Sequence, residues 1–136
     1  MQYNRTVGCV DIHIDTKRID NNIRNAQKLL NMQISADCDE YIPFANGALR
    51  GAVNYPDGIY GGEIEWNTPY AHYQYEGELY LTEDGRSFAN KGEQKYPTGM
   101  PLHYHIPSTS DHWFERAKET HGQQWIDLVK REVGKG

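Results

Sequence analysis

The chain is short of cysteine, of net positive charge and of long apolar runs, and each shortage argues against a class of function. Its two cysteines, Cys9 and Cys38, form no CxxC pair, which points away from a disulfide framework and toward free thiols in a reducing cytoplasm. Lys and Arg number 14 against 19 Asp and Glu, for a net charge of -5, so there is no general attraction to phosphate backbones or anionic lipid heads. The basic end at Lys130, Arg131 and Lys135 complements the dipole of a helix's last turns. No apolar run approaches the roughly 20 residues that span a bilayer, and the polar opening MQYNRTVG lacks a signal-peptide core. The expectation is a soluble protein made and used without export, with no membrane partner. Neither GxGxxG nor GxxxxGK occurs, so the phosphate-cradling loops are missing.

What remains suffices for one core. A chain of 136 residues can bury roughly two thirds of its unfolded surface, and a single domain over residues 1–136 is expected. The mean hydropathy of -0.83 implies much polar surface, while ten tyrosines and three tryptophans set the chain apart from disordered ones. Val10, Ile12 and Ile14 alternate with Asp11, His13 and Asp15, the pattern of a half-buried strand with one packed face. Asp15 and Thr16 are cap candidates for a helix whose stripe Ile19, Ile23, Ala26 and Leu30 packs on a sheet or on another subunit. Residues 35–43, with Asp37, Asp39 and Glu40, read as an acidic connector, since the spacing of an EF-hand loop is absent.

Pro56-Asp57-Gly58 has the chemistry of a turn between arms 47–55 and 59–67. In that hairpin Tyr60, Gly62, Ile64 and Trp66 face inward and Glu63 and Glu65 outward. After a short arm at residues 79–81, residues 82–100 make a long excursion suited to ordering against neighbouring subunits. The last segment has Ser108, Thr109, Ser110 and Asp111 as capping candidates. Trp113, Phe114, Ala117, Trp125, Leu128 and Val129 follow as an amphipathic face, with Gly122 as a point of bending. The fold class is therefore α+β, a small and mostly antiparallel β-sheet packed by an N-terminal and a C-terminal amphipathic helix, with a long loop.

Candidate chemistry is sparse. Glu63 and Glu65 share a face, but acid/base work needs a closed pocket and partners that the sequence does not supply. His103 and His105 lie on one side of an extended segment with His112 seven residues on; a metal-dependent hydrolase built on His103 and His105 is the catalytic alternative, and it needs a third ligand and supporting partners. The reading is no enzyme, no metal and no cofactor. The most informative stretch is 70–77, where Tyr70, Tyr73 and Tyr75 offer the large amphipathic side chains favoured at protein contacts.

Gly47-Ala48-Leu49-Arg50, the segment 55–62, Thr68-Pro69-Tyr70-Ala71-His72-Tyr73-Gln74-Tyr75-Glu76-Gly77 and the run from Glu78 to Phe88 resemble the minor capsid proteins of Gram-positive tailed phages and prophages. Tyr96-Pro97-Thr98-Gly99 and Asp111-His112-Trp113-Phe114 extend the likeness over nearly the whole chain. It implies a ring-forming α/β subunit in the virion neck, assembled in the host cytoplasm, between the DNA-filled head and the tail. A stopper or adaptor ring of the same connector is the nearest alternative. The expected partners are copies of the chain itself, six to a ring, then adjacent connector or stopper proteins and tail terminator or tail tube proteins, with DNA passing through unbound. On this likeness the candidate subunit-interface residues are Gly47, Leu49, Arg50, Tyr70, Tyr73, Tyr75, Gly77, Glu83, Arg86 and Phe88.

Overall fold

The computed structural model describes residues 2–43, 49–68, 70–104 and 108–136. Strands β1 (Gln2–Val7) and β2 (Val10–Asp15) form an antiparallel ribbon in which Tyr3 opposes Ile14, Arg5 opposes Ile12 and Val7 opposes Val10. Gly8, at φ 61°, supplies the left-handed conformation that a two-residue turn requires. Opposed residues share a face, so the alternation in β2 does create an apolar side, widened by Tyr3 and Val7 of a strand that its polar sequence concealed. The other side is laced by Gln2 to Asp15 at 3.3 Å, Thr6 to Asp11 at 2.7 Å, and a bond between Asn4 and His13. The expected packing of one face is not found. All twelve strand residues are exposed, because no other described part of the chain covers the ribbon.

Helix α1 (Lys17–Asp39) begins where the caps were expected, although the bond to its first turn comes from Asp15, which accepts the Lys17 N–H at 2.9 Å, rather than from a Thr16 side chain. It runs nine residues past Leu30, so residues 35–39 are helix and not connector. Ile34 and Cys38 continue the stripe at spacings of four, and Ser35 returns its hydroxyl to the carbonyl of Asn31 at 2.9 Å, which lets a polar residue sit inside the helix without freeing a backbone group.

A single 3-10 turn (Arg50–Ala52) leads to β3 (Val53–Asn54), paired antiparallel with β4 (Glu65–Trp66). The expected hairpin survives only at this base. Pro56-Asp57-Gly58 does turn, with Gly58 N–H donating to the Tyr55 carbonyl at 2.9 Å. The carbonyls of Ile59 and Gly61, however, accept from the Asn31 side chain at 2.9 and 2.7 Å. Backbone groups that a longer arm would give to its partner strand are thus committed to α1.

Helix α2 (Ala71–Glu76) is closed by Gly77 at φ 74°, whose N–H reaches the Tyr73 carbonyl at 3.0 Å. β5 (Glu78–Thr82) then pairs with β6 (Lys95–Pro101), Tyr80 against Pro97 and Thr82 against Lys95. The excursion expected over 82–100 is therefore in large part a hairpin, with the loop proper at 83–94.

Helix α3 (Trp113–Val133) runs without interruption through Gly122. The N-cap position falls to none of the expected candidates. His112 holds the N-cap at φ 47° and makes no side-chain cap bond, while Ser110 N–H is bound to Tyr41 and His112 N–H to Tyr75, each at 2.9 Å. The approach to α3 is set by these tertiary bonds. α3 lies antiparallel to α1: Asn22 bonds the carbonyl of Val133 at 3.2 Å at one end, and the Trp125 indole donates to Asp37 at 2.7 Å nearer the other. The class is α+β as expected, with antiparallel strands divided among three two-stranded sheets. Between the helices and α2 lies the core of Cys38, Ile42, Leu49, Ala71, Trp113, Ala117 and Trp125.

Candidate functional site

Aromatic side chains gather where α1, β4, α2 and α3 meet. Trp113, 1% exposed, opens α3. Trp66 meets its ring edge-on at 5.9 Å and Tyr75 at 4.7 Å. Around them a cleft of about 600 Å³ is lined by Leu30, Ile34, Ile64, Trp66, Trp113 and Phe114 among others, with Gln27, Asn31 and His72 as its polar margin. The indole N–H groups of Trp66 and Trp113 are buried and find no acceptor among the described residues, so both rings serve here chiefly as apolar bulk.

Burial shifts three titratable groups of this region upward. Burial raises the Tyr75 phenol far above its usual range, and its hydrogen bond to Glu115 adds to the rise. Burial likewise pushes Tyr104 up to about 12, and its hydroxyl donates to the Gln74 carbonyl at 2.7 Å. The buried Cys38 thiol is pushed up to about 12 by desolvation, with Asp37 and Asp39 contributing; a thiol so shifted is protonated and inert at neutral pH. Cys9 and Cys38 are both free.

A second aromatic group lies on α2 and β5. Tyr73 and Tyr80 are 4.9 Å apart, His72 borders both, and the Lys95 ammonium stands 4.4 Å over the Tyr73 ring. These rings are partly open to solvent, the state in which tyrosines add contact area at little conformational cost. Beyond them Arg86 binds Asp84 at 2.9 Å and also Glu93, so that hydrogen bonds from Arg86 and Thr82 hold the Asp84 carboxyl down at about 2. The same guanidinium lies 5.2 Å over Phe88, which is among the most exposed apolar residues.

The expected interface residues fall into two sets. Leu49 is buried in the core, Arg50 donates to the Ile42 carbonyl at 3.1 Å, Tyr75 packs on Trp113, and Gly77 closes α2; these four are woven into the fold. Tyr70, Tyr73, Glu83, Arg86 and Phe88 lie wholly or partly on the surface. Gly47 lies outside the described residues. Of the three histidines weighed as metal ligands, His103 is exposed, His105 lies outside the described residues, and His112 sits 3.4 Å from Asp111 and 3.8 Å from Glu76. Among the described residues no group of three or more His, Cys, Asp or Glu converges, and no helix is long and apolar enough to cross a membrane. Glu63 and Glu65 are both exposed.

Sequence reasoning passed over Asn31, whose side chain anchors the backbone of the 59–61 loop to α1. Its signal was its position beside Leu30, at the edge of the apolar stripe, where a polar residue of the described helix becomes buried. It also passed over the ribbon's full exposure, which no local pattern reveals. In comparison with known proteins, no curated protein and no solved structure matches the chain, and a family model described as minor capsid protein matches residues 9–133.

Proposed function

The chain belongs to the minor capsid protein family, structural components of the virion, and from that premise we propose that it is a ring-forming subunit of the neck that joins the DNA-filled head to the tail. It acts by contact and not by catalysis. The observation that carries this reading is the β1–β2 ribbon. Tyr3, Val7, Val10, Ile12 and Ile14 leave on one of its faces, at 38–57% exposure, on the order of 400 Å² of apolar surface, a size that marks interaction sites on monomers. An isolated two-stranded ribbon is marginal in water, and the charge on this face is Arg5, opposite Ile12 at its centre, with no Pro or Lys in either strand to blunt the edges further. Such an element is stabilised when another subunit covers it.

A ring of six copies, neighbouring connector or stopper proteins on one side and tail terminator or tube proteins on the other would supply that cover. The net charge of -5 suits a channel through which DNA slides without sticking. Electron microscopy of particles made with the gene intact and deleted tests the reading. Deletion leaves filled or leaking heads beside free tails; intact infectious particles in its absence would refute structural joining.

A further inference from the structure

Charge is distributed unevenly over this chain. From Asp57 to Asp84 there are seven carboxylates, and between Arg50 and Arg86 there is no Lys or Arg. The reverse holds where the start of α1 meets the end of α3. There Lys17, Arg18, Arg24, Lys28, Lys130, Arg131 and Lys135 outnumber Asp15, Asp20, Asp127 and Glu132 by seven to four, with Arg24 and Lys28 standing 4.3 and 5.8 Å over the Tyr60 ring. Asn22, donating to the carbonyls of Val133 at 3.2 Å and Lys135 at 2.6 Å, binds the two helix ends together. Lys135 is paired with Glu132 at 2.8 Å; among the described residues none of the other six cations has a carboxylate within 4 Å.

The helix dipole accounts for only part of this. Lys130 and Arg131 sit in the last turn of α3, where cations are favoured, but Lys17 and Arg18 open α1, where the positive end of the dipole disfavours them. Cations kept against a local penalty serve something outside the element. Nucleic acid is one class of partner for such a surface, yet Ile19 and Ile23 on α1 and Ile126 on α3 stand exposed among the charges. A phosphate backbone offers these side chains nothing to bury against, whereas a protein surface does.

We propose that this basic and apolar end docks on the acidic α2–β5 segment of a second copy of the chain, where Glu76 and Glu83 are exposed and Glu78 is half-buried. Glu76 lies 3.8 Å from His112, at the start of α3, and the 21 residues of α3 separate its two ends by roughly 30 Å. Complementary patches at opposite ends of one subunit make a heterologous, head-to-tail contact, the kind that closes into rings. Beside these carboxylates Tyr70, at the start of α2 and 40% exposed, is an amphipathic ring that the isoleucines can cover. The proposal rests on the ring reading above and assigns its two surfaces.

Charge reversal on each side tests it, with Lys17→Glu plus Arg18→Glu on one and Glu76→Lys plus Glu83→Lys on the other. Glu78 is spared because it holds the Gly99 N–H at 2.8 Å. In sedimentation velocity at low salt each pair weakens self-association tenfold or more, and a chain carrying both recovers most of the loss. In assembled particles of the wild type, carbodiimide joins Lys17 or Lys28 of one copy to Glu76, Glu78 or Glu83 of another, and this decides the matter if the free chain is monomeric. Where the free chain self-associates, unchanged association in both reversed pairs or no recovery in the combination would overturn the proposal, and so in either case would particles without those cross-links. So would loss of duplex DNA binding in the Lys17/Arg18 variant with association intact, which would make the basic end a DNA site. If these tests fail while deletion of the gene still separates heads from tails, the neck reading stands and only the assigned surfaces fall.

Discussion

A Cβ placed on Gly77 would lie 2.8 Å from the Cβ of Asp111. The end of α2 therefore rests directly on the segment that leads into α3, and the contact is sealed by the His112 N–H on the Tyr75 carbonyl and the Leu102 N–H on the Gly77 carbonyl, each at 2.9 Å. Only glycine meets both demands made here, a φ of 74° and an empty Cβ position.

Gly77→Ala is expected to destabilise the chain by about 2 kcal/mol, roughly half from the left-handed conformation and half from displacing Asp111. Gly122→Ala is its opposite. A Cβ at Gly122 meets only Lys118 Cγ at 3.6 Å, and alanine in a helix interior gains about 0.5–1 kcal/mol over glycine. Thermal denaturation of the two variants checks the pair; equal melting temperatures would show that Gly77 is not under the stated constraint.

Tyr75 and Tyr73 lie two residues apart on α2 and are expected to behave differently. Tyr75 packs edge-on against the buried Trp113, so Tyr75→Ala costs about 2–3 kcal/mol of stability. Tyr73 lies near the surface, tilted against Tyr80 and under Lys95, so Tyr73→Ala costs under about 1 kcal/mol and acts on assembly instead. Urea denaturation gives the first quantity, and incorporation into particles the second.

The Trp125 indole donates to the Asp37 carboxylate at 2.7 Å. Trp125→Phe removes the donor while keeping most of the apolar volume, and the loss of a hydrogen bond to a charged acceptor is expected to cost about 2 kcal/mol. Trp125→Phe in an Asp37→Ala background should cost less, and equal losses in the two backgrounds would rule the bond out as a source of stability.

His121 bonds Glu40 at 2.9 Å, which raises the imidazole above its ordinary value near 6.5. A group with a raised folded value contributes stability that is fully present below the unfolded value and is lost as pH climbs through the folded one. The wild type is therefore expected to lose stability relative to His121→Gln as pH rises from 6 to 8. A stability difference that stays flat over that window would dissociate the ion pair from folding.

Legibility followed the range of the interactions. The stripe from Ala26 through Leu30 marked α1, and Trp113, Ala117 and Trp125 marked α3, because a helix that buries one face must repeat its apolar residues with the helical period. Local polarity misled where a tertiary partner intervened. Asp37 made 35–43 look like a connector, yet its carboxylate is an acceptor for Trp125, eighty-eight residues on. The arm 59–67 has strand alternation, but Asn31 takes its carbonyls before a partner strand can.

By itself, then, the sequence determined the α+β class, the two long helices and the likeness to minor capsid proteins, since periodicity, turn chemistry and motif order are local or serial properties. Tertiary structure decided the rest. It placed Leu49 and Tyr75 in the fold and left Tyr73 and Phe88 outside, it turned the 82–100 excursion into a hairpin, and it left the β1–β2 ribbon uncovered. Burial and exposure are properties of which distant segments meet, and the apolar pattern of Val10, Ile12 and Ile14 is the same whether its cover comes from its own chain or from another subunit.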